Sequence, residues 1–140
     1  RRQRQMCIRD SLKVNTSNKS FFLDKYKTDQ VLAIPNAHAE GKLILEKDKL
    51  DEIEKNNQVA FRYCNSDGLF DSGYPWNPNG APNDIAGITN SKGNVLGMMP
   101  HPERVFHGWQ HTDWTSSGKK PDGPGDGRAL FEGVVEFLCK

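Results

Sequence analysis

Asn94-Val95-Leu96-Gly97-Met98-Met99-Pro100-His101-Pro102-Glu103-Arg104 is the stretch whose reading decides the fold. Its first half is an apolar run without polar alternation, as expected of a strand buried on both faces of an α/β sheet. Its second half carries an imidazole and a carboxylate two residues apart. Open α/β sheets gather their chemistry where strands end. In extended backbone, residues i and i+2 point to the same side. Pro100 and Pro102 bias the residues before them toward extended geometry. His101 and Glu103 are therefore expected side by side, as a general base and its orienting group. A solvated loop would also accommodate a His-Pro-Glu tripeptide, and spacing alone leaves both readings open.

The totals bound the rest. A chain of 140 residues, 35% hydrophobic and 26% charged, with a formal net charge of +1, suits one globular domain with a sizeable core. No apolar run reaches membrane-spanning length, and no secretory pattern opens the chain. The near-neutral charge offers no electrostatic case for nucleic acid. Cys7, Cys64 and Cys139 are odd in number and widely spaced, which suits a reducing, cytoplasmic compartment and neither a disulfide framework nor a zinc site. Residues 1–11 hold four arginines without periodicity and resemble translated adapter sequence, with a genuine basic strand entry as the alternative; they are set aside as a non-native segment, leaving 12–140 as the domain.

Working outward from the opening stretch, strands are expected at 12–15, 31–35 and 59–64. Phe21-Phe22-Leu23 reads as a half-turn packed on the sheet, and 43–45 as a possible further strand. Residues 48–56 form a helix with a narrow apolar side at Leu50 and Ile53, ended by Asn56-Asn57. Asn65-Ser66-Asp67-Gly68 is a turn of hairpin character. The apolar runs 85–90 and 95–99 flank Ser91-Lys92-Gly93-Asn94 as an antiparallel hairpin, so the sheet is expected to be mixed. Leu130, Phe131, Val134, Val135 and Leu138 form a helical stripe over 128–138 that should dock on the sheet.

Two further loops carry polar candidates. Asn36-Ala37-His38-Ala39-Glu40-Gly41-Lys42 follows a strand, and its small residues would let backbone approach a ligand; a histidine capping a strand turn is the plain alternative. Residues 72–84 are dense in Gly, Pro and Asn, with amides free to bond locally or to a partner. His107, His111 and Asp113 tempt a metal reading, but Gly108 and the Gly/Pro-rich run after them argue against a helix that would align them, and no metal is expected.

Tyr74-Pro75-Trp76-Asn77-Pro78-Asn79-Gly80, Ile85-Ala86-Gly87-Ile88 and residues 94–104 together resemble the glutaminase component of phosphoribosylformylglycinamidine synthase, a Cys-His-Glu (class I) glutamine amidotransferase. The resemblance implies an α/β, flavodoxin-like fold with a mixed central sheet flanked by helices, of which this chain would be the C-terminal part. It implies His101 and Glu103 as two triad members and Ala37, His38 and Glu40 as glutamine-pocket candidates, with Ala39 where the family usually has glycine. Asn77 and Asn79 would lie near the active-site mouth or the synthetase face. Glutamine would be the substrate and a synthetase component the partner. That component would bring ATP and magnesium, with no cofactor in this chain.

The family's nucleophile stands in a Gly-x-Cys-x-Gly turn. Cys7, Cys64 and Cys139 lack those neighbours. The expectation is a C-terminal fragment that lacks the nucleophile and is inactive alone. Another class I amidotransferase, a γ-glutamyl hydrolase, or a regulatory module without a nucleophile remain the alternatives.

Overall fold

The structure, a computed structural model, describes residues 9–15, 17–36, 41–70, 73–116, 118 and 120–140, with Arg9 and Asp10 as backbone alone. Five strands alternate with turns and two helices: β1 (Arg9–Val14), β2 (Val31–Pro35), α1 (Lys47–Lys55), β3 (Val59–Cys64), β4 (Ile85–Thr89), β5 (Leu96–Met98) and α2 (Arg128–Leu138). The sheet order is β2-β1-β3-β4-β5. β1 begins three residues before the expected start, so its backbone takes in Arg9, Asp10 and Ser11, paired with Pro35, Ile34 and Ala33.

Every neighbouring pair is antiparallel. The expected mixed sheet is therefore corrected among the described residues. β2 and β3, joined through α1, do run the same way, but β1 lies between them, so no parallel pair forms. The alternation also sends β2, β3 and β5 in one direction, and their carboxyl ends share one end of the sheet.

The core follows the two-residue period of strands. Leu12 and Val14, Leu32 and Ile34, and Phe61 and Tyr63 are buried together, joined by Ala60, Ala86, Leu23, Val105 and Leu130. Val105 and Leu130 come from far along the chain and lock its last third onto the sheet.

Three further expectations need correction. The run before His101 is not a doubly buried strand: β5 is an edge strand and Val95 is 59% exposed. An apolar run cannot reveal which of its faces the fold covers. Residues 43–45 form no strand, and Ile44 is exposed. The stripe of α2 docks only in part. Leu130 reaches the core, and Gly133 lies so close to the 3₁₀ turn Phe21–Leu23 that a Cβ would stand 2.6 Å from the Phe21 carbonyl oxygen. Phe137 stacks on Phe21, while Val135 and Leu138 face outward.

Local readings fare better where a side chain makes the turn. Asn65 Oδ1 accepts from the N–H groups of Asp67 and Leu69, closing the expected turn, although β4, the antiparallel partner of β3, begins only after a long loop. Asn57 ends α1 with φ of 52°, in the left-handed region that asparagine tolerates, and Gln58 N–H returns to the Ile53 carbonyl. The β4–β5 hairpin forms as expected, with Asn90 Oδ1 accepting from the N–H groups of Asn94 and Val95.

A candidate active site at the end of the sheet

The sheet is curled, and the curl builds the site. Met99 N–H donates to the Ala86 carbonyl at the start of β4, and His101 N–H donates to the Pro35 carbonyl at the end of β2 (2.9 Å). Two residues reach roughly 7 Å. In a flat sheet three strand spacings, roughly 14 Å, would separate β2 from β4. The segment can bridge them only because the sheet bends round it. The strand ends singled out in the sequence, 31–36 and 94–104, thus meet at His101.

His101 is half-buried, and its Nδ1 is buried with no hydrogen-bond partner among the described residues. Glu103 is exposed. The extended backbone expected to set the two side by side is not formed, and among the described residues no hydrogen bond or ion pair joins them. Pro102–Val105 is a 3₁₀ turn with Pro102 at its start, closed by Arg104 N–H donating to the His101 carbonyl. The buried side chain of Val105 anchors that turn to the core. Ala37, His38 and Glu40 lie outside the described residues, as does Cys7.

The asparagine-rich loop is a built object. Asn77 is buried; its Nδ2 donates to the Ala81 carbonyl and to Asp84 Oδ1, and its Oδ1 accepts from Ala81 N–H. Asn79 Nδ2 donates to the Gly41 carbonyl, tying the loop to the segment that follows residues 37–40. Gly41 in turn rests on Met99, whose Sδ would stand 1.9 Å from an added Cβ. So Asn79, Gly41 and Met99 form a continuous wall two residues before His101. A hollow of about 310 Å³ opens beside it, lined by Gly41, Leu43, Ala86, Gly97, Met98 and Met99.

Of the described cysteines, Cys64 is fully buried in β3, and burial pushes its thiol up to about 11. A thiolate is disfavoured there, so Cys64 is a packing residue and not a nucleophile. Cys139 is exposed at the end of α2.

His111 and Asp113, weighed in the sequence only as metal ligands, belong with Asp126 to one cluster. Asp126 Oδ2 accepts from Ala33 N–H at 2.9 Å and lies 3.3 Å from His111 Nε2, while His111 Nδ1 lies 3.2 Å from Asp113 Oδ1. Tyr26 Oη donates to the Asp126 carbonyl, and burial holds that phenol well above its usual range. His107 packs instead between Phe106 and Trp109. Nothing local to Asp-Gly in a glycine-rich stretch signals that its carboxylate reaches a strand 93 residues away.

His101 thus sits where the curled sheet brings the ends of β2 and β5 together, beside the asparagine loop. The comparisons give the class: residues 4–138 match the CobB/CobQ-like glutamine amidotransferase domain, and the chain belongs to that family. Its relatives are specific. It is 43% identical over 136 residues to phosphoribosylformylglycinamidine synthase subunit PurQ of Archaeoglobus fulgidus, covering 94% of this chain and 47% of that protein. The Picrophilus torridus PurQ subunit is 42% identical over 132 residues, covering 86% and 51%. A chain in the solved structure of PurLQS from Thermotoga maritima superposes with a TM-score of 0.63 at 27% identity, covering 95% of this chain and 48% of that one. The chain thus spans about half the length of the proteins it matches. Among its described residues, no helix is long and apolar enough to cross a membrane.

Proposed function

We propose that this chain is part of the glutaminase component of a phosphoribosylformylglycinamidine synthase, releasing ammonia from glutamine in purine biosynthesis. The observation that carries the reading is the 43% identity to a PurQ subunit along nearly the whole chain. The placement of His101 at the closure of the sheet supports it.

In this reading His101 accepts the proton of a cysteine nucleophile and later returns it to the departing ammonia. Nδ1 has no hydrogen-bond partner among the described residues, and this reading gives Glu103 the role of fixing the imidazole tautomer. The reading takes the nucleophile to be a cysteine other than Cys64, whose thiol is buried in β3. The reading assigns glutamine binding to Ala37, His38 and Glu40, which lie outside the described residues. A synthetase component, with ATP and magnesium, consumes the ammonia in the cytoplasm.

The test is ammonia release from glutamine by the intact gene product carrying these residues, assayed with its synthetase. His101→Ala should lower kcat by about 100-fold or more, and Glu103→Gln by at least about tenfold. Residues 1–140 alone should release none. Turnover that survives His101→Ala would overturn the reading; turnover by residues 1–140 alone that His101→Ala abolishes would overturn only the expectation that this stretch is inactive by itself.

A further inference from the structure

The outer edge of β2 holds two contacts from one distant part of the chain. Residues 33 and 35 have the same parity on an edge strand, so both turn their backbone groups away from β1. Asp126 takes the Ala33 N–H, and His101 N–H takes the Pro35 carbonyl. An edge-strand N–H needs a partner once it is covered, and here a carboxylate supplies it.

The backbone around Asp126 grips the turn that carries Glu103. Gly125 N–H donates to the Phe106 carbonyl and Gly127 N–H to the Val105 carbonyl. A Cβ at Gly127 would stand 2.0 Å from the Pro102 carbonyl oxygen, and one at Gly125 2.0 Å from that of Val105. Only glycine permits this approach. We infer that Gly125-Asp126-Gly127 is a clasp that sets His101 against the end of β2, with Asp126 its positioning residue. Asp126 acts through the strand and the turn and touches no reacting atom. His111, beside the same carboxylate oxygen, holds the carboxylate in place.

The catalytic consequence rests on the glutaminase reading; the clasp itself does not. In the intact gene product, a through-hydrogen-bond coupling should connect the Ala33 nitrogen to the Asp126 carboxyl carbon. Asp126→Ala should speed amide exchange at Ala33 and His101 at least about tenfold more than at Phe61. Asp126→Asn, which keeps an acceptor, should restore the protection. Asp126→Ala should also lower kcat about tenfold with KM little changed, and Asp126→Asn should recover most of it. If the coupling is absent, or if His101 exchange rises only in step with Phe61, the clasp is overturned; the coupling decides even where the alanine variant fails to fold. If protection follows the expected pattern while the unaltered protein releases no ammonia, the clasp stands and the glutaminase reading falls.

Discussion

His101 donates its backbone N–H to the Pro35 carbonyl at 2.9 Å, joining two segments 66 residues apart at the point where the sheet curls closed. The position of the imidazole is thus a property of the strand edge as much as of its own loop. Perturbations that move the 3₁₀ turn behind it should be felt at the site.

Gly127 is the sharpest such perturbation. An added methyl group meets backbone, not a yielding side chain, at the Pro102 carbonyl. Gly127→Ala is expected to cost about 1–3 kcal/mol of stability and to shift the His101 and Arg104 amide resonances. A urea melt and an amide spectrum check both; an unshifted spectrum at full stability would refute the close packing.

Asn77 closes the 73–84 loop through two donated bonds and one accepted bond, all buried. Asn77→Ala is expected to cost about 1–3 kcal/mol, because buried polar partners lose their bonds. Asn79→Ala should cost less than that, since Asn79 is only partly buried, yet it should raise exchange in the Gly41 segment. A pair of urea melts with amide exchange separates the two roles.

The cysteines should differ in reactivity. The Cys64 thiol is buried and raised to about 11, whereas Cys139 is exposed. Alkylation at pH 8 followed by peptide mass mapping should label Cys139 and spare Cys64 until denaturant is added. Rapid labelling of Cys64 in the folded protein would contradict its burial.

Acid should loosen α1 through Glu54. Burial works to raise this carboxyl, but hydrogen bonds from Arg62 and Asn83, with the Arg62 charge, outweigh it and hold it below the ordinary 4.5. A lowered folded value means that its stabilisation is complete above about 4.5 and fades as pH falls through the folded value. Melting temperature measured from pH 6 to pH 3 should fall less steeply in Glu54→Gln than in the unaltered chain, from a lower plateau.

Much of the fold was legible because it is local. The bounds of β2, β3 and α2 follow from apolar periodicity and β-branched content, the C-terminal end of α1 from an asparagine that tolerates the left-handed conformation, and the β4–β5 turn from Asn90, whose side chain completes it. The family was legible for a similar reason: the strings 74–80 and 94–104 are contiguous, and the match over residues 4–138 bears out the glutamine amidotransferase part of the resemblance.

The sequence by itself determined the strands, the helices and the residues worth suspecting, since each depends on chain neighbours. Tertiary structure decided the rest. An apolar run from Val95 to Met99 does not say that β5 lies at an edge, because burial depends on which strands stand beside it. The i, i+2 rule for His101 and Glu103 gave way to a 3₁₀ turn because buried Val105 and the approach of Gly125 and Gly127 hold that backbone curled. Asp126 was silent in sequence because a carboxylate acquires a partner only when the fold brings Ala33, 93 residues away, within hydrogen-bonding distance.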